Sequence, residues 1–352
     1  MRKWTVAPDQ DCTVDQRGWK KGKFRNYRSQ TAAQVLGIKI ALLNAARYFY
    51  GPQEVQRIYR QKYPAEKLPT IDFIKRVSRE HHLTRPVISR ARGGSAYQHY
   101  PAFTIAQVAD SISELDFVGE KNISGQTEPV NLIAYNSLKP FRFREYAVVA
   151  AQTSQEAVRF LEALWQRVPA PAVLKVDNDL AFIGSASGKR SLSRFVVFLL
   201  TRNVRPLFIN PRSPWNNGSI EGSNSVFGSK FWNRYTFTSV ADIKRKLVGF
   251  NRACNAYLGF SGTLPLKKKH ARAQQLYFIR KVVEQAGEGK IDILNEQILL
   301  PKAYINQYVF CEWNVVKQIL KVQYEQNQKL TMVRKVNFTV NSRLGWTRSF
   351  AP

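Results

Sequence analysis

The chain has 352 residues, and its 54 Lys and Arg against 25 Asp and Glu give a formal net charge of +29. A balance this basic is the electrostatic footprint of a polyanionic partner, and a hydrophobic content of 44% with 12% aromatics excludes a disordered basic tail. No apolar run approaches the roughly eighteen residues of a membrane span, and the opening MRKWTVAPDQD lacks the apolar segment of a secretory signal, so a soluble cytoplasmic protein without membrane contact is expected.

Residues 1–30 form a basic N-terminal arm, including RGWKKGKFRNYRS. From Thr31 the spacing of Ile38, Leu42, Ala45 and Phe49 predicts a helix that ends at Gly51-Pro52, and Pro52 can open a second helix with Val55, Ile58 and Tyr59 inward. Thr70 is a good N-cap for a third, TIDFIKRVSREHH, in which Ile71, Ile74 and Val77 face one way. Lys75, Arg76, Ser78, Arg79 and His82 are left for solvent or a duplex. Three short helices over 31–95 with a basic outer face suit a helix-turn-helix DNA-binding region, with Lys75, Arg76 and Arg79 as contacts; an ordinary three-helix packing unit is the plainer alternative.

Residues 105–262 change character. Short β-like runs at SELDFVGEKNI, EPVNLIAYNSL and REYAVVAAQ precede a helix whose Thr153 and Glu156 have capping-box spacing. PAVLKVDND then reads as a buried strand, SLSRFVVFLLTRNV as a helix and RPLFINP as a fifth strand, which predicts a mixed five-stranded α/β sheet with flanking helices. A basic helical linker is expected over 263–290, with a helix in RAQQLYFIRKVVEQAG and the run Lys267, Lys268 and Lys269 tracking phosphates. The alternation over 291–345 suggests a small β-barrel.

Three carboxylates stand out. Asp116 lies in the first strand run, Asp177 ends the fourth, and Glu221 starts a helix that Ser219 could cap, within SPWNNGSIEGSNSVFGSK. A meander followed by a crossover can make the first and fourth strands neighbours, which would set Asp116 beside Asp177. Clustered carboxylates repel, and hard divalent cations such as Mg²⁺ are their natural counterions. Singly, each has a bland reading: a strand-end residue, an Asx turn in VDND, and a favourable charge in a first helical turn. Cys12, Cys254 and Cys311 show neither disulfide nor zinc spacing, and His81, His82, His99 and His270 form no ligand set with them.

LKVDNDLAF and PRSPWNNGSIEGSNSVF resemble core motifs of the transposase and retroviral-integrase superfamily with an Asp-Asp-Glu triad on an RNase H-like fold, with bacterial insertion-sequence transposases as the nearer type. Pro211, Pro214, Asn217, Gly218 and Glu221 match the Pro-x-x-Pro-x-x-Asn-Gly turn and the Glu that follows it. The resemblance implies that Asp116, Asp177 and Glu221 are catalytic metal ligands for two Mg²⁺ ions, with Mn²⁺ able to substitute. It also implies that the chain cuts and joins double-stranded DNA as a homo-oligomer on paired ends, with an accessory ATPase or targeting protein as a further possible partner. Trp215, Asn217 and Lys230 are expected near DNA. Asp179 stands where the motif has Gly, and Gly228 where many relatives have a basic residue; Lys230 is nearby but at about 100° per residue faces the other side of the helix. These departures leave open an inactive DNA-binding regulator, or an RNase H-like nuclease.

Overall fold

The computed structural model describes residues 27–45, 47–84, 100–184, 188–260, 262 and 272–341. It divides into an N-terminal unit up to Arg90 and a larger unit from Ala91 onwards. The first holds three helices, α1 (Ser29–Asn44), α2 (Pro52–Lys62) and α3 (Ile71–Glu80). Gly51 precedes α2 and Pro52 opens it, where a missing N–H and a fixed φ cost nothing. Thr70 caps α3, its Oγ1 accepting the Phe73 N–H at 3.3 Å.

Val35, Ile38 and Leu42 from α1 pack with Val55 and Tyr59 from α2 and with Phe73, Ile74 and Val77 from α3. Tyr59 donates its hydroxyl to Glu66 at 2.6 Å, fastening the turn before α3. Two details depart from the expected pattern. Helix α1 stops at Asn44, so Ala45 is exposed and Phe49 lies outside the stripe; Ser78 is buried because it shares the inner face with Ile74 and Val77 at helical spacing. Lys75, Arg76 and Arg79 are exposed as expected, with the Arg76 guanidinium 5.5 Å from the Phe73 ring centroid. The basic arm up to residue 26 and residues 85–99 lie outside the described residues.

The second unit begins with α4 (Ala102–Val108) and a meander of β1 (Ile112–Phe117), β2 (Asn131–Lys139) and β3 (Phe143–Val149). Helix α5 (Ser154–Leu164), β4 (Val173–Val176), α6 (Leu180–Ile183), α7 (Arg194–Thr201) and β5 (Arg205–Phe208) follow. Helices α8 (Gly218–Lys230) and α9 (Val240–Tyr257) come next. The remaining strands are β6 (Gln275–Lys281), β7 (Val283–Gln285), β8 (Glu288–Ile293), β9 (Glu296–Leu300), β10 (Tyr308–Asn314), β11 (Ile319–Gln326) and β12 (Lys329–Asn337).

The expected five-stranded sheet is present as β5-β4-β1-β2-β3, inside a nine-stranded sheet of order β12-β11-β10-β6-β5-β4-β1-β2-β3. β1 pairs antiparallel with β2 and parallel with β4, so the first and fourth strands are neighbours. Leu115, Phe117, Leu174, Val176 and Phe208 meet Leu161 of α5 and Phe195 and Leu199 of α7 in one core. Toward the β3 edge, Tyr146 stacks on Phe227 of α8 at 4.6 Å, and Phe227 meets Phe250 of α9. Asn251 and Asn255 of α9 each donate to and accept from the backbone of β3, at Tyr146 and Arg144. Two amide side chains thus satisfy backbone groups at a sheet edge that would otherwise invite pairing.

The C-terminal third corrects the expectation. Gln275–Lys281 is strand, not helix, because β6 lies between β5 and β10 and buries both faces; Leu276 and Phe278 serve one core, Tyr277 and Ile279 the other. A continuous apolar run such as LYFI is ambiguous between buried strand and helix by periodicity alone. In place of a basic helical linker and a self-contained small barrel over 291–345, β6 joins β10, β11 and β12 to the central sheet. β7, β8 and β9 form a separate three-stranded sheet whose Ile291, Ile293 and Ile298 share a core with Val309, Trp313 and Leu320. Cys254 and Cys311 are free, buried thiols.

Candidate active site

β1 alternates Leu115 and Phe117 into the core with Glu114 and Asp116 on the opposite face, as a two-residue period requires. The parallel register pairs Glu114 with Lys175; two residues on, it brings Asp116 level with Asp177 at the end of β4. Asp116 is half-buried and accepts the Asn224 amide of α8 at 3.0 Å. Burial first, then the charge of Asp177 and more weakly that of Glu221, push its carboxyl up to about 7, with Asn224 pulling the other way. Asp177 is also raised, chiefly by burial, although one of its oxygens accepts the Asp179 N–H at 3.0 Å in an Asx turn.

Asp179 has an ordinary explanation. Its φ is −59°, so the position needs no left-handed backbone, and its side chain caps α6 by accepting the Ala181 N–H at 2.7 Å. Glycine in this place would gain no conformational relief, and Asp gains a helix cap.

Glu221 is exposed in the first turn of α8. A short 3₁₀ helix, Pro214–Asn217, leads into α8, and Asn217 rather than Ser219 stands at its N-cap, without a side-chain cap bond. Ser219 instead accepts the Asn136 amide of β2 at 2.9 Å, which fastens the start of α8 to the sheet. Asn217, expected at DNA, is buried at 3% exposure. The Trp215 side chain and Lys267, Lys268 and Lys269 lie outside the described residues; Lys230 is half-buried at the end of α8.

Beneath the carboxylates lies a polar layer that the sequence reading missed. Glu114 is fully buried and pairs with Lys175 at 3.0 Å. Burial raises the Glu114 carboxyl, while Lys175, Asn136 and the Ile220 N–H draw it back. The signal was available in sequence: a charged residue sits two positions before each Asp within an apolar strand run. Removing one member of a buried ion pair strands the other, which costs about 3–5 kcal/mol. Lys175→Met is therefore expected to lower the unfolding free energy by that amount, and Glu114→Leu with Lys175→Met to recover most of it; denaturant unfolding of the two variants checks this.

Among the described residues, no group of three or more His, Cys, Asp and Glu is placed so that it could hold a metal ion. The donor set at Asp116, Asp177 and Glu221 is made only of oxygen, the chemistry that suits Mg²⁺ or Mn²⁺. The Asn224 Oδ1 beside it is a buried acceptor with no partner among the described residues. Asp116, raised by burial and by the charge of Asp177, and Asp177, raised by burial and by the charge of Asp179, are half-buried oxygen donors of the kind a divalent cation would take.

No family model and no curated protein matches the chain. Among solved structures, a chain of the simian T-cell lymphotropic virus intasome in complex with the PP2A regulatory subunit B56 gamma superposes at a TM-score of 0.37 and 12% identity, over 73% of this chain and 98% of that one. The HTLV-2 integrase catalytic core domain in complex with magnesium gives 0.25 and 16%, over 46% of this chain and 92% of that one. Likeness of this degree does not fix a family. No helix among the described residues is long and apolar enough to cross a membrane.

Proposed function

We propose that the chain is a Mg²⁺-dependent DNA transposase or integrase, of the type found in bacterial insertion sequences and acting in the cytoplasm on double-stranded DNA. The observation that carries this reading is the meeting of β1, β4 and the start of α8, where Asp116 feels the charges of Asp177 and Glu221, in a chain of net charge +29.

Asp116, Asp177 and Glu221 would hold two Mg²⁺ ions, or Mn²⁺ in their place, which neutralise phosphate charge and activate the attacking and leaving oxygens. Asn224 fixes one Asp116 oxygen. Water first attacks the phosphodiester at an element end: a P–O bond forms to water, the bond to the 3′ oxygen breaks, and a 3′-OH is freed. That hydroxyl then attacks a target phosphodiester, forming one P–O bond as another breaks and releasing a second 3′-OH, with no covalent protein–DNA intermediate. Two ends must be joined together, so the working form is a homo-oligomer on paired ends.

The helical unit would read element ends, with Lys75, Arg76 and Arg79 on its exposed face. Lys230, Trp215 and the Lys267–Lys269 run would add phosphate and base contacts. Incubation of the chain with the DNA flanking its own gene, a supercoiled target and Mg²⁺ tests the reading: joined products support it, cut strands alone indicate a nuclease, and binding without either indicates a regulator. Binding itself is expected to weaken with salt at a log–log slope of about −0.9 per neutralised phosphate. A slope near zero in a filter-binding titration would contradict the electrostatic footprint.

A further inference from the structure

Arg280 of β6 is almost fully buried, at 4% exposure. Burial in turn draws its guanidinium down to about 10. All its hydrogen bonds among the described residues go to carbonyl oxygens: Nε to Asp292 O at 2.8 Å, Nη1 to Ile279 O at 2.8 Å and Ile209 O at 2.9 Å, and Nη2 to Asn178 Oδ1 at 2.9 Å. Asn178 closes the ring by donating to the same Ile209 carbonyl at 2.6 Å. The neighbouring Lys281 N–H donates to Asn210 Oδ1 at 2.7 Å, and Asn210 donates on to Ser213 at 2.7 Å.

These contacts have a common location. Asn178 follows Asp177, and Ile209, Asn210 and Ser213 lie between β5 and the 3₁₀ turn that delivers Glu221. Arg280 hydrogen-bonds no carboxylate, although the charge of Asp292 acts on it, and a buried cation so placed is costly enough that an apolar residue of similar volume is often as stable or more so. The planar fork reaches several acceptors in fixed directions, which a lysine cannot reproduce.

We propose that Arg280 is a positioning residue of the candidate metal site: its guanidinium fixes Asn178 and the Ile209 carbonyl, and so sets Asp177 for sharing a cation with Asp116. The inference rests on the polynucleotidyl-transferase reading and extends it. The C-terminal strands are then part of the catalytic platform, and no catalytic core can be trimmed away from them intact.

The test uses the full chain without DNA, following the Mn²⁺-dependent rise in melting temperature, with strand joining assayed in parallel. Wild type is expected to show a saturable rise. Arg280→Met and Asn178→Ser should raise the half-saturating Mn²⁺ concentration about 10–100-fold, the usual cost of losing a residue that orients a ligand. Arg280→Lys, which keeps the charge but not the fork, should leave half-saturation raised like Arg280→Met. A purely structural residue would lower the metal-free melting temperature and leave half-saturation unmoved; that result in folded variants overturns the proposal. If Arg280→Met does not fold, Asn178→Ser decides by the same criterion, since it removes the amide that ties the guanidinium and the Ile209 carbonyl to the Asp177 strand and leaves the other Arg280 bonds in place. A wild type with neither a Mn²⁺ response nor joined products overturns the underlying function as well, which sets that failure apart.

Discussion

Asp177→Asn is expected to abolish cutting and joining, by at least about 10³-fold or some 4 kcal/mol of barrier, while DNA affinity stays close to wild type and the melting temperature does not fall. The local geometry makes this substitution a clean one. The oxygen of Asp177 that accepts the Asp179 N–H can be supplied equally by Asn, so the turn into α6 survives. What disappears is the negative charge beside Asp116, and with it one of the oxygens that would bind a cation. Glu221→Gln should lose activity on the same scale, and its side chain is exposed, so folding should change by no more than the roughly 0.3–1 kcal/mol of a helix N-terminal charge. Joining assays beside an electrophoretic binding titration check both. Asp177→Asn that folds and still joins DNA would remove Asp177 from the metal site, and loss of binding or of fold would mean that its carboxylate charge serves the structure rather than a metal.

The central sheet was legible because its signals are local. Asp116 and Asp177 sit on short strands bounded by turn residues, and the β1–β4 neighbourhood follows from meander and crossover topology before any distance is known. The caps at Thr70 and Thr153 were read from local spacing, and both hydroxyls accept the expected N–H, while the Glu156 carboxylate of the Thr153 pair accepts the Ala150 N–H instead. β6 was misread as helix because its apolar run serves two cores at once, a property of its neighbours in space. The same cause hid Arg280 and Glu114, since a buried charge is written in sequence like a surface one. Ser219 illustrates a third limit: its hydroxyl was available for capping α8, yet the Asn136 amide of β2 claims it. Such competition between a local and a distant partner has no signature in the chain itself.

The metal-free chain is expected to lose stability as the pH rises through the site's own titration, and Asp116→Asn should remove that loss. Asp116 is held at about 7 against an ordinary 3.8, so between those values the folded chain keeps a proton that the unfolded chain has released. Folding is then linked to proton binding: stability falls with rising pH from about 4 to about 7 and is flat with respect to this group above that. Asp177 moves in the same direction, chiefly through burial. Integrated over the window, the difference is on the order of 4 kcal/mol. Asp116→Asn should therefore match wild type near pH 4 and exceed it by a few kcal/mol at pH 8, measured by denaturant unfolding. Adding Mn²⁺ should close that gap for wild type at pH 8 and have little effect at pH 5, where protons compete for the same oxygens. A stability difference independent of pH would mean that Asp116 carries no such strain, and the case for a cation between Asp116 and Asp177 would fall with it.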